Sequence, residues 1–147
     1  MEIKLTAKNS LIAVAAVILF VIIRIATISS SEDPDLEKAV RDVLWSTYSG
    51  VHLSKEIEAI RQSGNFDEVE ALTKKSSSEA IDIIKISRSE PILSFSTNQK
   101  VIVKVRYYFP GDQEARTDYM KFTHGSLVNV WSYQYSSSAY AYYMNFY

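Results

Sequence analysis

Three patterns of apolar and polar positions succeed one another along this chain. The first is unbroken. Leu11 to Ile23 contains no polar side chain, and after Arg24 the run resumes through Ile25, Ala26, Thr27 and Ile28. As a helix, residues 11–28 measure about 27 Å at about 1.5 Å per residue, close to the hydrocarbon thickness of a bilayer. A helix with no polar face has nothing to offer water, so the run predicts one transmembrane segment. The second pattern has a step of three to four residues. Asp33-Pro34 supplies an N-cap and a proline at the first helical position. Leu36, Ala39, Val40, Val43, Leu44 and Tyr48 then share one side, opposite Glu37, Lys38, Arg41 and Asp42. Gly50 predicts a stop, Leu53, Ile57 and Ile60 a shorter helix to Ser63-Gly64, and Asn65 with Glu68 a capping-box start for a third helix carrying Phe66, Val69 and Leu72.

From about residue 80 the period becomes two. Strands are predicted over 80–87, 92–96, 100–109, 116–123, 127–135 and 139–146, although Ile81 and Ile84 also suit an extension of the third helix. Turn residues punctuate them: Glu90-Pro91, Thr97-Asn98, Pro110-Gly111-Asp112, His124-Gly125 and Ser136-Ser137-Ser138. The connections are too short for crossover helices. The pattern therefore predicts an α+β protein: an N-terminal transmembrane helix, then two or three helices packed on a curved antiparallel meander sheet of about five strands. The divisions are an N-terminal tail (1–10), the membrane helix (11–28), a polar linker (29–33) and one globular domain (34–147).

Charge then orients the chain. Lys4 and Lys8 precede the apolar run, and Glu32, Asp33, Asp35 and Glu37 follow it. The positive-inside rule predicts a cytoplasmic N-terminus and an extracytoplasmic domain in a single-pass protein of the inner (cytoplasmic) membrane. Arg24 lies about one turn from the end of the run, where a long stem in lipid brings a guanidinium to the headgroups. A cleaved signal peptide is the competing reading, with a basic start, a 13-residue apolar core and a small-residue site at Thr27-Ile28-Ser29. With no cysteine, disulfides and thiolate metal or redox sites are excluded. A net charge of -1 and scattered basic residues, with Lys74-Lys75 the only doublet, argue against nucleic acid as a partner.

The order of two or three helices followed by a strongly curved antiparallel sheet, behind one N-terminal anchor, resembles the nuclear transport factor 2-like (cystatin-like cone) fold over residues 33–147. The layout is similar to that of single-pass inner-membrane subunits of type IV secretion systems, whose periplasmic domains have that fold. The resemblance implies an assembly role in the periplasm. It rests on element order, and no motif carries over residue by residue.

Candidate chemistry is sparse. His52 and His124 have no metal-ligand partner at helical spacing, so no metal or cofactor site is predicted. Cone-shaped folds can host acid–base enzymes that set a buried carboxylate against a tyrosine, which makes Asp82, Asp118 and Tyr119 the residues to locate. Their alternation with apolar neighbours fits the solvent face of a sheet instead. Phosphate loops and nucleophile elbows are missing from the sequence. What exceeds the needs of one core is the aromatic density of the C-terminal third. Within it Trp131, Tyr133, Tyr135, Tyr143 and Tyr147 are the predicted interaction residues, since large stiff aromatics are enriched at protein interfaces.

The sequence thus predicts a non-enzymatic protein–protein interaction or assembly subunit of an envelope complex of secretion or pilus type. Its partners would be membrane lipid through Leu11 to Ile28, other envelope proteins and a second copy of the chain. Two alternatives stand beside it: a membrane-tethered small-ligand binder or enzyme of the cone fold, and a membrane-bound immunity or exclusion protein.

Overall fold

The computed structural model describes residues 7–64, 67, 78–94, 96–126 and 129–145. The third predicted helix and the Lys74-Lys75 doublet fall almost wholly outside them, as do Phe146 and Tyr147. Helix α1 (Ala7–Thr27) runs straight into a short strand, β1 (Ile28–Ser30). Helix α2 (Pro34–Tyr48) follows, then a π-helical turn (Ser49–Leu53) and α3 (Ser54–Ser63). Strands β2 (Asp82–Ser89), β3 (Gln99–Tyr108), β4 (Arg116–Gly125) and β5 (Val130–Ser136) form the rest of the sheet, and a five-residue helix, α4 (Ala139–Tyr143), comes after it. The sheet is a five-stranded antiparallel meander in the order β1-β2-β3-β4-β5. The chain is therefore α+β, with an N-terminal apolar helix ahead of a few helices and a meander sheet.

Helix α2 begins where the sequence places it. Asp33 Oδ1 accepts the amides of Asp35 (3.0 Å) and Leu36 (3.1 Å), and Pro34 takes the first turn. Leu36, Val40 and Leu44 are buried against Val101, Val103, Val105 and Tyr107 of β3 and Phe122 of β4. The odd-numbered residues of β3 thus form the floor of the core under α2, as alternation requires.

Four elements differ from expectation. Gly50 does not end the helix, because the backbone stays right-handed at Ser49 and Ser54 and the Ser54 hydroxyl donates to the Gly50 carbonyl at 2.6 Å. Residues 92–94 and 96 form no strand. The linker is shorter than 29–33, since Ile28, Ser29 and Ser30 pair with Ser89, Arg88 and Ser87 as the edge strand β1. Residues 139–143 are helical: Ser138 Oγ caps the Ala141 amide at 3.1 Å, and the helix drives Tyr142 into the sheet face opposite α2. There Tyr142 is 1 % exposed and its hydroxyl donates to Ser87 Oγ at 3.0 Å. Tyr-Ala-Tyr alternates in type, and alternation alone cannot separate a strand from a short capped helix.

The joint between α1 and the domain is built on Arg24. From Leu11 onward the apolar residues of α1 are exposed apart from the half-buried Phe20, whereas Arg24 is buried at 5 %. Its Nε donates to the Tyr143 carbonyl (2.6 Å). Nη2 donates to the Tyr142 carbonyl (2.6 Å) and to Ser89 Oγ (2.6 Å), and Nη1 to Thr27 Oγ1 (2.8 Å) and the Glu90 carbonyl (3.2 Å). The Glu90 amide in turn donates to the Thr27 carbonyl at 3.0 Å. A guanidinium, with five N–H donors in a fixed plane, satisfies the carbonyls at the end of α4 that the helix itself leaves open. The side chain expected to reach for headgroups is turned into the domain.

Candidate docking site

Strand β5 is the last strand of the sheet, so among the described residues no further strand pairs with its outer edge. It carries no charged residue, and of its seven residues Trp131 alone is buried. A long edge without lysine or proline lacks two of the usual devices that stop another strand from adding to it. A register shift modifies that edge. Tyr133 pairs with the core residue Phe122, and Tyr135 pairs with Lys121. Strict alternation would place the two tyrosines on one face, and the bulge sends them to opposite faces.

Each face beside β5 consequently has a groove containing one of them. On the helix side a groove of about 440 Å³ runs between α2 and β5, floored by Phe122, Trp131 and Tyr133 and rimmed by Asp35, Lys38 and Asp42. On the other side a shallower one of about 270 Å³ is bounded by Ile102, Lys121, Tyr135, Tyr140 and Met144. The Lys121 ammonium lies 5.5 Å from the centre of the Tyr135 ring.

The predicted interaction residues separate. Tyr133, Tyr135 and Tyr143 are exposed. Tyr143 lies on the same face as Tyr135, edge-on to Tyr142, and its hydroxyl accepts from Lys104 Nζ at 3.4 Å. That hydrogen bond holds the Lys104 ammonium above its ordinary pKa against the smaller opposing effect of burial. Trp131 is 6 % exposed, a core residue rather than a surface one; its indole Nε1 donates to Asp33 Oδ2 at 2.9 Å and its ring lies 4.9 Å from that of His124. Tyr147 lies outside the described residues. Sequence reasoning missed Tyr140, which is 74 % exposed. Its signal was present: in a capped helical turn, Tyr140 and Tyr142 cannot share a face.

The acid–base candidates are placed as follows. Asp82 is exposed at the start of β2, and Asp118 is exposed on β4. The tyrosine that meets Asp118 is Tyr107, whose hydroxyl donates to Asp118 Oδ2 at 2.7 Å beside a cavity of about 180 Å³; Tyr119 also lines this cavity and lies against the Tyr142 ring. Burial, then the hydrogen bond and the charge of Asp118, push the Tyr107 phenol well above its ordinary pKa. It is a donor held neutral. No group of three or more histidine, aspartate or glutamate side chains converges among the described residues in a way that could hold a metal ion.

Fold and surface together define a class: a small α+β domain carried directly on an apolar helix able to serve as a membrane anchor or a signal sequence, with 18 residues, Ser10–Thr27, at mean hydropathy 2.6. In comparisons with known proteins the chain matches no family model, no curated protein and no solved structure.

Proposed function

We propose that this chain is a single-pass membrane protein, N-terminus in the cytoplasm, whose extracytoplasmic domain is a non-enzymatic docking subunit of an envelope assembly. Arg24 carries the reading. A signal peptide is discarded, so its residues have no stake in the mature fold. Here cleavage at Thr27-Ile28-Ser29 would cut into β1 and strip the four Arg24 hydrogen bonds to Ser89, Glu90, Tyr142 and Tyr143 from the domain. An anchor retained in the mature protein fits that arrangement. The docking role is supported by the open, uncharged β5 edge with Tyr133 in the groove on one side and Tyr135 in the groove on the other. An extended segment of a partner could add to such an edge through main-chain hydrogen bonds.

Protease treatment of intact and permeabilised cells tests the topology. Extraction in mild detergent followed by mass spectrometry of co-purifying chains tests the docking. A protein that runs at full length, shields its domain from external protease only while the outer barrier is intact and co-purifies with stoichiometric partners fulfils the proposal. A lone monomer at every concentration overturns the docking role. One observation favours a second reading, a tethered small-ligand binder: the Tyr107–Asp118 pair beside its small cavity. Asp118 is exposed there, whereas a carboxylate base raised by desolvation needs enclosure.

A further inference from the structure

The strand register fixes which end of the domain lies beside α1. Ile28, the first residue after α1, pairs with Ser89, and Ser89 with Ile102. Just beyond these positions the chain makes two connections, residues 90–98 between β2 and β3 and residues 126–129 between β4 and β5. Gln99 pairs with His124 and Gly125 with Val130, which puts the second connection at the same end of the sheet as the first. Glu90, the first residue of the 90–98 connection, is bonded to Thr27, the last of α1. The third connection, between β3 and β4, lies at the opposite end.

The two ends differ in chemistry. Past Glu90, which is paired with Arg88 at 3.4 Å, residues 91–98 read Pro-Ile-Leu-Ser-Phe-Ser-Thr-Asn and residues 125–130 read Gly-Ser-Leu-Val-Asn-Val, with no charge in either. The far connection reads Phe-Pro-Gly-Asp-Gln-Glu-Ala before Arg116 and is charged. Leu93 is 51 % exposed and Val130 55 % exposed, although both lie on the side where water is scarcest if α1 spans a bilayer. Apolar side chains held at that level enter the headgroup and upper acyl layer with a gain in burial, and uncharged loops need no anionic lipid to do so. The direct passage from α1 into β1 and the Arg24 joint leave no slack by which the loops could be lifted away.

We propose that the described residues of these two connections, centred on Leu93 and Val130, form a second membrane contact, seated in the interfacial layer of the bilayer that holds α1. The inference rests on the anchor reading above and adds to it that the domain lies on the lipid rather than standing clear of it. The natural absence of cysteine permits single-cysteine variants of the full chain, reconstituted in phosphatidylcholine vesicles and labelled with a polarity-sensitive fluorophore. Leu93→Cys and Val130→Cys are the test positions. The exposed Ser94→Cys and Ser126→Cys serve if either fails to fold, Val14→Cys reports the anchor and Glu114→Cys the far end.

Blue-shifted emission quenched by brominated lipid at the loop positions, with Glu114→Cys in water, is the expected result, and adding phosphatidylglycerol should leave it unchanged. Loop labels that behave like Glu114→Cys while Val14→Cys reports lipid overturn the second contact and leave the anchor standing. Loop labels shielded from water yet untouched by brominated lipid overturn it too, since protein then covers the loops. A label at Val14 that reports water sinks the anchor and this contact together.

Discussion

Trp131 and Asp33 close the domain on itself: the indole N–H of the last strand donates to the carboxylate that caps the first domain helix, 98 positions earlier. One carboxylate therefore performs two tasks, capping α2 through Oδ1 and holding β5 through Oδ2.

Asp33→Ala is expected to lower unfolding stability by about 1–2 kcal/mol, the usual cost of a lost N-cap, and to shift Trp131 emission to the red. Asp33→Asn keeps an acceptor for the cap and should cost less. Burial raises the Asp33 carboxyl, but the Leu36 amide, the Trp131 indole and the Asp35 amide outweigh it, so its folded pKa lies below the ordinary 3.8. A depressed acid contributes stability above its unfolded pKa and loses it as pH falls through the folded one. Denaturation midpoints should thus drop below about pH 4 in the natural chain, and drop less in Asp33→Asn.

Arg24→Leu makes the apolar run cleaner and should insert at least as well. It also removes every donor that Arg24 gives to Ser89, Glu90, Tyr142 and Tyr143. Hydrogen bonds to a charged group are worth about 1.5–3 kcal/mol each and are not additive, so the domain should lose roughly 2–4 kcal/mol in chemical denaturation in detergent. Arg24→Lys should restore only part of that, because an ammonium cannot match a planar fork. Unchanged domain stability in Arg24→Leu would mean that the side chain serves the headgroups after all.

Tyr142→Ala removes the one α4 side chain sunk into the sheet and should cost about 3–5 kcal/mol, in the range of a large aromatic truncated in a core. Tyr142→Phe deletes only the bond to Ser87 and should cost about 1 kcal/mol. The contrast, measured by thermal melts, separates packing from hydrogen bonding. If the segment were a strand with Tyr142 exposed, neither change would exceed about 0.5 kcal/mol.

For Tyr107 the sign is reversed. Its folded pKa is raised, so the phenol contributes stability below its unfolded value near 10 and loses it as pH climbs further. Alkaline titration should show Tyr107 ionising only with unfolding. Tyr107→Phe should flatten the alkaline loss at the cost of the Asp118 hydrogen bond, about 1 kcal/mol at neutral pH.

Tyr133→Ser and Tyr135→Ser sit on the surface and should change stability by no more than about 0.5 kcal/mol, while the pair together reduces the yield of co-purifying partners. A partner recovered undiminished from the double variant would move the docking surface elsewhere.

The layout of the fold was legible because its signals are local. Asp33-Pro34 starts a helix by its own chemistry, and Val101, Val103, Val105 and Tyr107 alternate cleanly above a stripe of Leu36, Val40 and Leu44. What escaped the sequence depends on contacts across the chain. Ile28–Ser30 pairs only because Ser87–Ser89 is there to receive it, and nothing in Ile-Ser-Ser announces a strand. Arg24 finds its acceptors 118 and 119 positions away. The aromatic density was plain in the sequence, but the Lys121/Phe122 bulge decides which tyrosines face which way, and a one-residue insertion in a ladder has no sequence signature in Trp-Ser-Tyr-Gln-Tyr.

The distance between Arg24 and its acceptors also sets an order of events. A ribosome finishes α1 and β1 well before it makes β2, and makes residues 142 and 143 later still, so the guanidinium waits for the Tyr142 and Tyr143 carbonyls long after its own helix is complete. The C-terminal turn is then the keystone, set last. Chains interrupted before it would leave the Arg24 cation at the end of α1 without those two acceptors.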